Sequence, residues 1–245
     1  EKTFQAMSLG AVDVMEKKCF EAQNLKPDAV EELIDRIKIL AKVKVHKRDS
    51  AEGVSSSMSV SNEDFSVNAS MGTQNRVVAI ASSTGGPQAL VEILKRLPGN
   101  FQVPIVIVQH ISSGFSEGFC LWLKTETGRQ VKVAENDEAL QEGGIYLAPT
   151  GYQLRLKSPG IVSLAQEKKV DGQCPSATVM MESVAEVFGS NSLGIVLTGM
   201  GRDGSLGLRA ISESRGYTIA QDEKSSIVFG MPKAAIEIDN ARKNM

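Results

Sequence analysis

From Arg76 onward, apolar runs too short for helices alternate with stretches in which apolar residues recur every three or four positions. Such alternation is the pattern of strands covered on both faces by the helices that connect them. It predicts an α/β fold, a three-layer α/β/α arrangement around a mostly parallel, doubly wound sheet. Strands are expected near 77–81, 104–109, 144–148, 193–198 and 217–221. The helix after the first strand presents Leu90, Ile93, Leu94 and Leu97, and the one after Gly204 presents Leu206, Leu208, Ala210 and Ile211. Segments 152–156 and 161–165, separated by Lys-Ser-Pro-Gly, read as an inserted antiparallel β-hairpin.

Upstream the pattern stops. Residues 50–70 hold eight serines and no sustained period, which reads as a linker. The division expected is therefore 1–45, a linker over 46–75, and a main domain over 76–240. In the first part, Pro27 opens a helical stretch in which Val30, Leu33, Ile34, Ile37 and Leu40 share a face. Some 45 residues with one such helix are too few for a core. This piece must lean on the second domain, on another chain, or on something absent, and a start at Glu1 rather than methionine fits a fragment.

The 245 residues, 42% hydrophobic and 23% charged, exclude disorder throughout, and a net charge of -2 excludes a basic field for nucleic acid or an anionic membrane. No window approaches the roughly 18 apolar residues of a membrane helix, and the N-terminus lacks a signal peptide's basic and apolar sections. A cytoplasmic protein without direct membrane insertion is expected. Three widely spaced cysteines, Cys19, Cys120 and Cys174, suit neither a disulfide framework nor a CxxC site.

Ligands of open parallel sheets bind beyond the carboxyl ends of the strands, so the loops there hold the candidate chemistry. The first strand runs into Ser82-Ser83-Thr84-Gly85-Gly86, the second into Gln109-His110, and a later one into Thr198-Gly199-Met200-Gly201-Arg202-Asp203-Gly204. A serine becomes nucleophilic when an imidazole takes its proton and a carboxylate orients that imidazole. Only two histidines exist, and His46 sits in a basic stretch beside the linker, which leaves His110 as the imidazole at a strand end. The bland alternatives are a structural histidine and a tight strand–helix turn with a hydroxyl cap. Gly199-Met200-Gly201-Arg202-Asp203-Gly204 also fits GxGxxG, with Asp222 and Glu223 beyond it, so a dinucleotide-binding, Rossmann-like oxidoreductase is the alternative reading. No metal-ligand spacing is recognisable, and no cofactor is expected on the hydrolase reading. Cys120 reads as a core thiol and Cys174 as a loop thiol.

The segments AIASSTGGPQAL, IVIVQHISSGF, IYLAPTGYQL, GIVLTGMGRDGSLGL and IAQDEKSSIVFGMPKAAI, in this order over 76–238, closely resemble the catalytic domain of the chemotaxis response regulator protein-glutamate methylesterases (CheB-type). The resemblance implies hydrolysis of glutamate methyl esters on the cytoplasmic helices of chemoreceptors, with deamidation of receptor glutamines by many members. It implies Ser83 as nucleophile, His110 as base and Asp203 as the orienting acid, with Thr84 and Met200 helping to form the oxyanion hole. Where the family usually has Gly-Ala before the serine, this chain has Ala81-Ser82. Alternating side-chain directions mean that Ser82 and Ser83 do not both face His110, and Ser83 is the one expected to do so. The segment TFQAMSLGAVDVMEK resembles the end of a response-regulator receiver domain, with Lys17 at the family's phosphate-sensing lysine and Lys18 in place of a usual proline. The resemblance then implies a phosphate-accepting aspartate upstream of Glu1, and a chemotaxis histidine kinase as partner of the full-length protein.

Overall fold

The computed structural model describes residues 6–7, 9–14, 27–41, 76–239 and 243–244. The expected linker, together with Lys17, Cys19 and His46, lies outside the described residues. A helix, α1 (Pro27–Leu40), precedes the main unit. There β1 (Val77–Ser82), α2 (Gly86–Arg96), β2 (Ile105–Gln109), α3 (Ser116–Thr127), β3 (Val131–Val133) and β4 (Ile145–Leu147) come first. After β5 (Gln153–Lys157) and β6 (Ile161–Ala165) follow α4 (Ala177–Phe188), β7 (Ser192–Val196), α5 (Ser205–Glu213), β8 (Tyr217–Ala220), α6 (Met231–Asp239) and β9 (Lys243–Asn244).

Seven strands form one sheet in the order β3-β4-β2-β1-β7-β8-β9, and every pairing in it is parallel. From β1 the chain steps to β2 on one side, whereas β7, on the other side of β1, continues outward to β8. The topology therefore reverses between β1 and β7, and the crevice beyond their carboxyl ends is where such a sheet holds ligands. β5 and β6 pair antiparallel as a separate ribbon, with Lys157 opposite Ile161.

Strand alternation sorts the core into two layers. Val77, Ala79 and Ala81 of β1 join Val106 and Val108 of β2 on one face, under Met180, Met181 and Val184 of α4 and Leu208 and Ile211 of α5. Val78 and Ile80 join Ile105 and Ile107 on the other, under Leu90 and Leu94 of α2 and Phe119 and Leu123 of α3. Side chains as fully buried as Leu90 and Leu94 each contribute about 1.5–3 kcal/mol by leaving water.

Four elements, β3, α4, α6 and β9, escaped the sequence pattern. β3 has only three residues, and α4 has no one-sided period because Val179, Met180, Met181, Val184 and Ala185 bury it around most of its circumference. Leu206, expected inward, is 47% exposed. Two residues along a helix turn a side chain by about 200°, so Leu206 cannot share the face of the buried Leu208. Met7 is buried against the Val78–Ile80 layer, so the first part of the chain does lean on the main unit. On α1, by contrast, Ile34 and Ile37 are exposed.

Candidate active site

The turn after β1 is built to separate two adjacent hydroxyls. Ser82 is fully buried and its Oγ donates to Gln109 Oε1 at 2.7 Å. Gln109 Nε2 in turn donates to the carbonyls of Ser83 (2.9 Å) and His110 (3.0 Å), pinning the ends of β1 and β2 to each other. Ser83 instead lines a cleft with His110, Pro87, Ile111, Ser112, Phe115 and Phe119. The backbone N–H of Ser83 donates to Thr198 O (3.0 Å) and that of His110 to Ser82 O (2.9 Å). Thr198 Oγ1 donates to Thr84 O at 2.9 Å, so the loops after β1 and β7 are joined as well. Gly85, with φ of 78°, turns the chain into α2 in a left-handed conformation that glycine adopts without strain.

Opposite this turn, His110 Nε2 lies 2.8 Å from Asp203 Oδ2. Both side chains are buried, at 5% and 3% exposure. With Nε2 donating to the carboxylate, Nδ1 is the ring nitrogen left to accept a proton, and among the described residues it has no hydrogen-bond partner. Serine proteases use the two nitrogens the other way round, with Nδ1 on the aspartate. Burial alone would raise the Asp203 pKa, but hydrogen bonds from His110, Ser176 and the Thr178 backbone outweigh it and hold the carboxyl below its ordinary value. Asp203 is thus an anion held at the Nε2 edge of the imidazole.

Thr84 and Met200 occupy the turns that flank Ser83. The Met200 turn is clamped by Gly199, whose N–H donates to Val228 O and whose carbonyl accepts from Gly230 and Met231. Among the described residues, the backbone N–H groups of Thr84 and Met200 donate to no carbonyl. Thr84 Oγ1 donates to Asp13 Oδ2 at 3.1 Å, and that same oxygen takes a 2.6 Å ion pair from Arg36. Gln88 Nε2 donates to Ala11 O (2.8 Å), and Met7, Asp13 and Val14 line the cleft directly. The N-terminal segment therefore lies on the mouth of the site.

In Gly199-Met200-Gly201-Arg202-Asp203-Gly204 the first glycine serves packing, and Gly201 and Gly204, with φ of 89° and 88°, serve the turn. A Cβ on Gly199 would fall 2.4 Å from Met231 Sδ and 2.7 Å from Ser83 Cβ, and Asp203 is turned inward to His110. The dinucleotide alternative has no support here. Cys120 is a buried thiol, its pKa pushed up to about 12 by burial and then by Glu117. Burial likewise raises the thiol of Cys174. Among the described residues no cluster of three or more His, Cys, Asp or Glu could hold a metal ion, and no helix is long and apolar enough to cross a membrane.

Sequence reasoning missed Gln109 and Ser176. Pro175-Ser176 before an apolar run is an N-cap signature that could have located the start of α4. Nothing in it reveals a partner 27 residues away.

Comparison with known proteins gives the family of the chain. The family profile described as CheB methylesterase matches residues 78–245. Protein-glutamate methylesterase/protein-glutamine glutaminase 4 of Myxococcus xanthus (strain DK1622) is 47% identical over 164 residues, covering 67% of this chain and 46% of the relative. Protein-glutamate methylesterase/protein-glutamine glutaminase 1 of Carboxydothermus hydrogenoformans is 41% identical over 242 residues, 96% of this chain and 67% of the relative. This chain thus spans about half to two thirds of the length of these relatives. The crystal structure of the Thermotoga maritima CheB methylesterase catalytic domain superimposes with a TM-score of 0.67 at 37% identity, covering 69% of this chain and 92% of that one.

Proposed function

The chain belongs to the CheB methylesterase family, and from that premise we propose that it is a serine hydrolase acting on glutamate methyl esters of chemotaxis receptors, with methanol released. The observation that carries the reading is the buried 2.8 Å hydrogen bond to Asp203 from His110, which lines one cleft with Ser83. In the proposed cycle His110 Nδ1 removes the Ser83 proton as Oγ attacks the ester carbonyl. The same proton passes to the departing methoxide, giving methanol and a glutamyl ester on Ser83. Water, deprotonated by His110, then attacks that ester, and the imidazolium returns the proton to Ser83 Oγ as it leaves, giving the receptor's glutamate carboxylate and free Ser83. Asp203 stays ionised throughout and stabilises the imidazolium formed in each half.

The oxyanion of each tetrahedral intermediate is assigned to the N–H groups of Thr84 and Met200, a kind of donor worth about 10²–10³ in rate. A glutamine side chain would follow the same path, with ammonia leaving in place of methanol, and the names of the two relatives pair these activities. Residues 1–45 are read as the C-terminal end of a receiver domain, which makes a chemotaxis histidine kinase the partner of the full-length protein and the cytoplasm its compartment. The test is incubation with methyl-esterified and with amidated receptor cytoplasmic fragments, assaying methanol and ammonia separately. Methanol release supports the proposal and ammonia extends it to deamidation. Receptor binding with neither product would overturn it.

A further inference from the structure

We propose that Ser176 is a positioning residue for Asp203, an inference that rests on the reading of Ser83, His110 and Asp203 as one catalytic unit. The Asp203 carboxylate accepts five hydrogen bonds. Oδ2 takes His110 Nε2 (2.8 Å) and the Ala177 N–H (2.7 Å). Oδ1 takes Ser176 Oγ (2.6 Å) and the N–H groups of Thr178 and Gly204, both at 3.0 Å. Three of the five come from the start of α4, whose first N–H groups have no acceptor within the helix and face the carboxylate with the positive end of its dipole. The Ala177 and Thr178 N–H groups, one on each oxygen, hold the carboxylate from the helix end. A hydroxyl at 2.6 Å on Oδ1 is a charge-assisted bond of the strong kind, the shortest of the five, and it tightens that hold on the rotation that presents Oδ2 to Nε2.

Ser176 is itself held for this task. It is fully buried, and its N–H donates to Oε1 of the fully buried Gln153 at 2.8 Å. Gln153 Nε2 is anchored to the carbonyls of Lys168 and Gln173. A serine that merely capped α4 would need only to accept a hydrogen bond, and Ser176 Oγ does accept one, from the Val179 N–H, at a long 3.5 Å. The shorter and stronger contact is the one in which it donates. The chain of support thus runs from the β5–β6 ribbon through Gln153 and Ser176 to Asp203, and from there to His110.

The test compares Ser176→Ala, Ser176→Gly and Ser176→Thr with the wild-type chain. Alanine and glycine remove the donor, while glycine at a cap position costs only a few tenths of the capping energy's usual scale. Threonine retains the hydroxyl. Loss of a hydrogen bond to a charged group is expected to lower kcat for ester hydrolysis by about tenfold or more in the Ala and Gly variants, with KM changed by less than about twofold and activity regained in Ser176→Thr. A substrate-independent readout is proton–nitrogen NMR of histidine-labelled protein, in which only His46 and His110 contribute. The Nε2-bound proton of His110 should shift in Ser176→Ala and Ser176→Gly and keep its wild-type position in Ser176→Thr. Folded Ala and Gly variants with wild-type kcat and an unmoved resonance would overturn the proposal, as would loss of activity only in proportion to unfolded protein. If the wild-type chain hydrolyses no ester, the functional reading fails, and the resonance alone decides the role of Ser176.

Discussion

Ser82 and Ser83 are neighbours with opposite duties, and the difference lies in where each hydroxyl is bound. Ser82→Ala should leave ester hydrolysis largely intact, because its Oγ is committed to Gln109 rather than to the cleft. It should nevertheless lower stability in urea denaturation by about 1–3 kcal/mol, since Gln109 Oε1 is left buried without its donor. Asp203→Asn presents an amide N–H₂ to a pocket in which five donors already converge, so the imidazole loses its fixed orientation. Its kcat should fall by about 10²–10⁴, and retention of wild-type kcat would reduce Asp203 to a turn residue. Carboxyl-carbon NMR should place the Asp203 midpoint below the ordinary value of about 3.9, in keeping with its lowered pKa. The sign follows from linkage. With the folded pKa below the unfolded one, the stability contributed by this carboxylate is present above the unfolded value and lost as pH falls through the folded one. A midpoint at or above about 3.9 would contradict the donor set described for Asp203.

At the level of elements, the strands that place Ser83, His110 and Asp203 were legible because apolar runs of β1, β2 and β7 stop at the loops that carry them. α4 was not legible, and with it went the cradle of Asp203. A helix buried on nearly all sides has no polar face to set its period, and contacts across 25 to 27 residues leave no local trace. The glycine run after β7 was legible as a pattern but ambiguous in purpose, because tight packing and phosphate binding require the same absence of Cβ. The turn into α2 gives a direct check. At Gly85, φ is 78° and an added Cβ would fall 2.7 Å from Ile227, so Gly85→Ala should be destabilising by at least about 1 kcal/mol and should lower activity by displacing Ser83 and Thr84. Wild-type stability and activity in that variant would show that the turn tolerates other geometries.

Across the whole molecule, the N-terminal segment and the main unit meet at the mouth of the cleft. Composition could place a boundary near the serine-rich stretch, but not the contact, which depends on Asp13 reaching Thr84 and Arg36 and on Met7 entering the core. Asp13→Ala removes the Thr84 tether and should raise kcat/KM by about two- to tenfold, the range expected for one partly exposed hydrogen bond. A fall in kcat/KM would mean that the segment supports the site rather than covering it. The central claim is that ester hydrolysis runs through Ser83. Its most direct test is methanol release from methyl-esterified receptor by the wild-type chain and by Ser83→Ala, measured side by side on protein of equal folded fraction. The account predicts turnover by the wild-type chain and none by Ser83→Ala; comparable methanol release by both would contradict it.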